Sequence, residues 1–190
     1  MVFVYNVLCK GGAGEKVTQK HYLAVNKRLK QGIYGRKEIR LPAEEADDEV
    51  LKKAYFAQVH EINKKKHWLI CETKADAVGI AIERQKEMYI PHIKNKFIYE
   101  LDCADEKLAY KILFRFMEEN LDFGDKLELY TCLDGEEEQP RNEAWDTKIL
   151  LEEGRFISGE AELSFKQDNH IESLSQKFRW HDRQYVVIRR

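Results

Sequence analysis

Two apolar runs, residues 96–103 and Lys126–Leu133, flank a stretch with helical periodicity, and this pattern constrains the fold more than any other in the chain. Within residues 105–121, Leu108, Ala109, Ile112, Leu113, Phe116, Met117 and Leu121 recur at three- and four-residue intervals, and Gly124 stops the run. The flanking runs are rich in β-branched, aromatic and leucine residues, so the three segments read as strand, helix, strand.

The same grammar places further strands at residues 2–9, 33–41 and 68–73. Helical patterns fall between them: one after the first strand, one from Pro42 to Lys66, and one over residues 75–89 that Pro91 ends. The second helix carries Glu44, Glu45, Asp47, Asp48 and Glu49 at its start and Lys64, Lys65 and Lys66 at its end, a charge order that complements the helix dipole. Alternation of this kind predicts an α/β fold, with β-α units forming a mostly parallel or mixed sheet in two or three layers. Charges in Leu127-Glu128-Leu129 and at Arg36, Glu38 and Arg40 argue that one face of that sheet is not fully covered.

Beyond Asp134 the pattern changes. Residues 136–140 form an acidic loop, residues 141–153 a short helix holding Trp145, and residues 157–165 alternate as a half-buried strand. A second strand within residues 177–188 completes a terminal β-hairpin. The expected organisation is one domain over residues 1–190, an α/β core over 1–135 with 136–190 packed on it.

With 190 residues, 43% of them hydrophobic and 35% charged, the chain has the composition of a folded domain rather than a disordered one. Its apolar stretches fall far short of the roughly 20 residues that a transmembrane helix requires. The first residues lack the pattern of a secretory signal, and the four cysteines are widely spaced with no CxxC pair. The expected location is therefore cytoplasmic, with reduced thiols and no membrane partner.

Charge is segregated along the chain. Residues 1–41 hold nine Lys/Arg against two Asp/Glu, whereas residues 101–153 hold six against sixteen. Two readings follow: a bipolar surface that meets a partner, or two segments that face each other inside the fold.

One stretch suggests a specific chemistry. Lys10-Gly11-Gly12-Ala13-Gly14-Glu15-Lys16-Val17-Thr18 follows the first strand, where phosphate-binding loops place backbone N–H groups and a lysine. The pattern departs from G-x-x-x-x-G-K-[ST], because Glu15 intrudes and Val17 stands where a hydroxyl is needed. The bland alternative is a flexible glycine turn. In a first helix, Lys16, Lys20, Lys27 and Lys30 would fall within roughly an 80° arc. Arg36 and Arg40 on the next strand, with Tyr22 and Tyr34 for stacking, would extend it toward a nucleic-acid surface.

Other constellations are weaker. Cys9, Cys71, Cys103 and Cys132 all fall near predicted strand ends, and buried thiols suit them better than a zinc site. The histidines form no HExxH, and no GxSxG elbow is present. Arg179-Trp180-His181-Asp182-Arg183 reads as a hairpin turn or, with an exposed tryptophan, as a contact surface.

These readings favour a non-catalytic binding or regulatory protein, without a metal or cofactor, acting through a bipolar charged surface on a protein partner or on a second copy of itself. The alternative is a binder of phosphate ligands, nucleotide or nucleic acid, through Lys10, Gly11, Gly12, Gly14 and Lys16 with the lysine face.

Overall fold

A computed structural model describes residues 18–62 and 64–190, and its fold is mostly β. In chain order the elements are β1 (Gln19–Val25), β2 (Gly32–Tyr34), β3 (Ile39–Pro42), α1 (Asp48–Lys53), β4 (Phe56–Ile62) and β5 (Lys65–Cys71). Next come α2 (Lys74–Ala77), β6 (Ile80–Gln85), β7 (Phe97–Cys103), α3 (Lys107–Asn120) and β8 (Lys126–Leu133). The chain ends with β9 (Thr147–Leu150), β10 (Arg155–Ser158), β11 (Ala161–Ser164), α4 (His170–Lys177) and β12 (Tyr185–Arg189).

Among the described residues nine strands form one sheet in the order β11-β10-β9-β12-β8-β1-β7-β6-β2, and β3-β5-β4 form a second sheet. Every pairing is antiparallel except β12 with β9. The expected α/β fold of alternating β-α units is therefore corrected. Only β7-α3-β8 behaves as predicted, and even there β1 lies between the two strands and antiparallel to both.

Three predicted helices gave way to strands for identifiable reasons. The supposed lysine-faced helix is β1, whose Tyr22 to Val25 are buried on both faces and so leave no amphipathic stripe. The long helix expected from Pro42 to Lys66 shrinks to α1, capped by the Asp47 side chain on the Val50 N–H, and then becomes the hairpin of β4 and β5. Lys64 turns that hairpin at φ 64. The third helix is one turn, α2, held by the Thr73 and Asp76 capping box, followed by β6.

The C-terminal hairpin is also reorganised. Strand β11 pairs with β10, and β12 instead inserts between β8 and β9. The stretch between the two strands expected for that hairpin contains α4. Gly154 turns β9 into β10 at φ +60, and a Cβ there would stand 2.6 Å from the Phe165 carbonyl oxygen.

The long sheet has two unlike faces. On the first, α3 lays Ala109, Tyr110, Leu113, Phe114, Phe116 and Met117 over Leu23, Leu101, Leu129 and Ile188. Each such large side chain contributes about 1.5–3 kcal/mol by leaving water. Helix α4 and its successors Phe178 and Trp180 close the rest. On the second face a smaller core of Tyr22, Ala24, Ile98, Tyr130, Cys132 and Tyr185 is covered by Ile90, with Met88 and Ile93 alongside.

Candidate functional site

The second face of the long sheet is where polar groups collect. Its central element is Glu128, fully buried on β8. The Lys94 and Asn95 backbone N–H groups donate to its Oε2 at 2.9 and 2.8 Å, and the Tyr185 hydroxyl donates to Oε1 at 2.6 Å. Lys126 completes the set at 2.6 Å. Burial opposes the charge, yet these donors hold the carboxyl below its ordinary range. Asn95 in turn donates to the Ala24 and Lys126 carbonyls, so the segment of residues 86–96 is stapled onto the sheet.

Beyond Glu128, toward β11, no element among the described residues covers the second face. Strand parity places Lys126 and Glu128 of β8, Val187 and Arg189 of β12, Lys148 and Leu150 of β9, and Arg155 and Ile157 of β10 on it. A cavity of about 820 Å³ opens there. Five cations line it (Lys126, Lys148, Arg155, Arg189 and Arg190), against two carboxylates, Glu152 and Glu153. Phe123, 89% exposed, stands at the same cavity.

An acidic cleft lies at the other end of β8. Glu136, Glu137 and Glu138 line a cavity of about 350 Å³ with Met88 and Tyr89, the latter 72% exposed. Tyr22 donates to Glu137 at 2.7 Å, and that hydrogen bond helps to offset burial and holds the Glu137 carboxyl low. The strand between the two clefts has eight residues, so they are separated by about 25 Å.

The residues singled out from the sequence are not gathered into one site. Lys10, Gly11, Gly12, Gly14 and Lys16 lie outside the described residues. Lys20 is on β1 and pairs with Glu100 at 2.6 Å, which raises its pKa. Lys27 is held by Asp122 and Asp125 at 2.5 and 2.6 Å. The Lys30 carbonyl accepts from the Tyr34 hydroxyl, and its side chain is exposed. Arg36 lies 4.8 Å over the Phe56 ring and pairs with Glu38 at 3.1 Å, and Arg40 sits opposite Leu69 in the small sheet. Among the described residues Lys20, Lys27 and Lys30 therefore form no helix face, and part of the basic N-terminal charge is neutralised by the acidic middle of the chain.

The cysteines do not share a sheet edge either. Cys71 belongs to the small sheet, Cys103 faces the helix-covered side and Cys132 the opposite one, while Cys9 lies outside the described residues. Burial raises all three described thiols, Cys132 to about 12, so they are protonated at neutral pH. Among the described residues no His, Cys, Asp or Glu cluster can hold a metal ion.

Trp180 is buried rather than exposed, stacked against His21 at 4.1 Å. His21 Nδ1 lies 3.0 Å from Thr131 Oγ1, and burial lowers its pKa to about 4 despite Asp105 nearby. His181 stacks on Trp145 at 3.9 Å. The tail cluster is thus a packing element of the first face and its rim.

No family model, curated protein or solved structure matches this chain. Sequence reasoning missed the cationic cleft because its residues are scattered over β8, β9, β10 and β12. Its signal was local: Lys148 and Arg189 each neighbour a fully buried isoleucine, Ile149 and Ile188, as an outward residue on a half-buried strand does. Among the described residues no helix is long and apolar enough to cross a membrane.

Proposed function

We propose that the protein is a non-catalytic binding protein that engages a charged macromolecular partner through the second face of its long sheet. The observation that carries this reading is the cationic cleft, in which Lys148 and Arg189 have no acidic partner among the described residues. Cations grouped on an open face attract an oppositely charged partner and speed its encounter. The acidic cleft at the far end of β8 gives the face a direction, which orients a partner as well as attracting it.

The test is a pull-down with the full chain at low and high salt, run beside the Lys148→Glu, Arg189→Glu double variant. The expected result is a partner retained at low salt by the wild type and lost by the variant. A partner retained equally by both overturns the reading.

A second reading, self-association, is favoured by one element. Among the described residues strand β4 is an edge of the small sheet, and it contains no Lys, Arg or Pro, the residues that commonly guard such edges. Its sequence, Phe-Ala-Gln-Val-His-Glu-Ile, is apolar at both ends and at its centre, Val59. Antiparallel pairing about Val59 would carry the apolar row Leu41, Trp68 and Val59 into a second copy. Light scattering against concentration tests it, and Val59→Lys is expected to abolish any dimer.

A further inference from the structure

The bare half of the second face carries a charge pattern that packing alone does not explain. Lys126 is directly opposite Arg189 in the ladder of β8 and β12. Arg189 is opposite Leu150, which is opposite Arg155, so three cations share one row across four strands. Lys148 lies one step along on the same face. Like charges directly opposite each other on a sheet cost stability, and in this row carboxylates compensate Lys126 and Arg155 but, among the described residues, not Arg189.

Three of the five lining cations are satisfied within the protein. Glu128 holds Lys126 at 2.6 Å, Glu153 and Glu162 hold Arg155 at 2.8 and 2.5 Å, and Glu152 holds Arg190 at 2.7 Å. Among the described residues Lys148 and Arg189 have no ion-pair partner; they are diagonal neighbours on adjacent strands, Lys148 opposite Val187 and Arg189 opposite half-buried Leu150, which is followed by Arg155 in the same row. The three paired cations hold four carboxylates between them, so the five lining cations leave a surplus of one positive charge, with Lys148 and Arg189 as the two cations outside those pairs.

The aromatic group is the second observation. Phe123 is 89% exposed at the same cavity, and the Gly124 N–H donates to the Arg190 carbonyl at 2.7 Å, which fixes this turn beside the end of β12. An aromatic ring left to solvent next to unpaired cations is suited to a ligand that brings a flat ring and an anion together. An acidic peptide would satisfy the cations and leave the ring unused.

The geometry points to a nucleotide unit as the ligand of this cleft, its phosphate on Lys148 and Arg189 and its base stacked on Phe123. This rests on the reading of the same face as a partner-binding surface and specifies the partner's chemistry. That chemistry has two sources, a free nucleotide or an unpaired nucleic-acid strand.

The experiment uses the full chain in two arms. A labelled single-stranded oligonucleotide is titrated by fluorescence anisotropy at several salt concentrations, and thermal unfolding is followed with ATP in excess. An unpaired strand as the source predicts salt-dependent binding in the first arm and little shift in the second; a free nucleotide predicts the reverse. In whichever arm responds, Phe123→Ala is expected to weaken binding by about tenfold, since stacking contributes roughly 1–3 kcal/mol per base. The double variant Lys148→Glu, Arg189→Glu is expected to weaken it further. With a strand it lowers the slope of log K against log salt by about 1.4. Both are surface changes, and an unchanged circular dichroism spectrum verifies folding. Silence in both arms, or binding that neither variant alters, overturns the inference. If both arms are silent while the salt-sensitive partner of the pull-down is still lost by the charge-reversed variant, the binding face stands and only the nucleotide is wrong.

Discussion

The two faces of the long sheet are closed by different means. On the first, α3 and α4 bring a continuous apolar layer, and two of the polar residues buried there, His21 and Thr131, hydrogen-bond to each other. On the second, a loop without regular structure is fastened over half of the sheet by one buried carboxylate, and the other half stays open. The first face shows how the protein is held together, whereas the second is only partly committed to holding it together. That leaves β8, β12, β9 and β10 free to present charge.

The sharpest way to break the comparison is to damage each face in turn. Phe114 is fully buried under α3, and Phe114→Ala is expected to cost about 3–5 kcal/mol in urea unfolding. The whole domain should unfold earlier in a single transition. Glu128→Leu strikes the second face and leaves the Lys94 and Asn95 N–H groups and the Tyr185 hydroxyl without their acceptor. A cost of about 3 kcal/mol is expected, as for buried donors left unsatisfied. Here hydrogen exchange should differ: the amides of residues 86–96 are expected to lose protection while α3 keeps its own. Equal loss of protection on both faces would dissolve the distinction.

Acid separates the faces by pH. His21 takes up a proton near pH 6.5 when unfolded but only near 4 when folded, so between those values the unfolded chain binds more protons. Stability therefore falls as pH drops from about 6.5 to about 4, by up to about 3 kcal/mol, and this contribution then levels off. Glu128 acts lower. Its folded pKa lies beneath the ordinary glutamate value, so its contribution is present above that value and is lost as pH falls through the folded one. A stability curve measured against pH should show the upper step removed in His21→Leu and the lower step removed in Glu128→Leu.

The contrast also explains what was legible from sequence. Strands β7 and β8 and helix α3 were readable because each has a long, consistent period and packs by it. Strand β1 was not, since both of its faces are buried near its end and its Lys20 falls at helical spacing with Lys16, Lys27 and Lys30 outside the strand. The charge order from Glu44 to Lys66 imitated one long helix, although Ala54 ends α1 in extended geometry and the following residues alternate as a hairpin. The cationic cleft was hidden because two of its cations, Lys126 and Lys148, lie in a part of the chain that counts as acidic and the other three, Arg155, Arg189 and Arg190, lie beyond it. The carboxylates of that part went to the loop after β8, to Lys27 and to the inside of the sheet at Glu128. A linear tally of charge cannot show which side of a strand each charge takes.

The smallest predicted effect bears most directly on the open face. Because Arg189 stands directly opposite Lys126, removing its charge relieves a repulsion that the folded state tolerates. Arg189→Thr keeps a residue suited to strands and is expected to stabilise the protein by a few tenths of a kcal/mol, within the roughly 0.2–1 kcal/mol range of cross-strand pairs. The gain should shrink in high salt, where the repulsion is screened. The same substitution is expected to weaken binding at the cleft. A charge whose removal stabilises the fold while impairing the partner is one the sheet carries for its ligand. If Arg189→Thr destabilises the protein instead, the arginine contributes to packing and the second face is less open than its cavity implies.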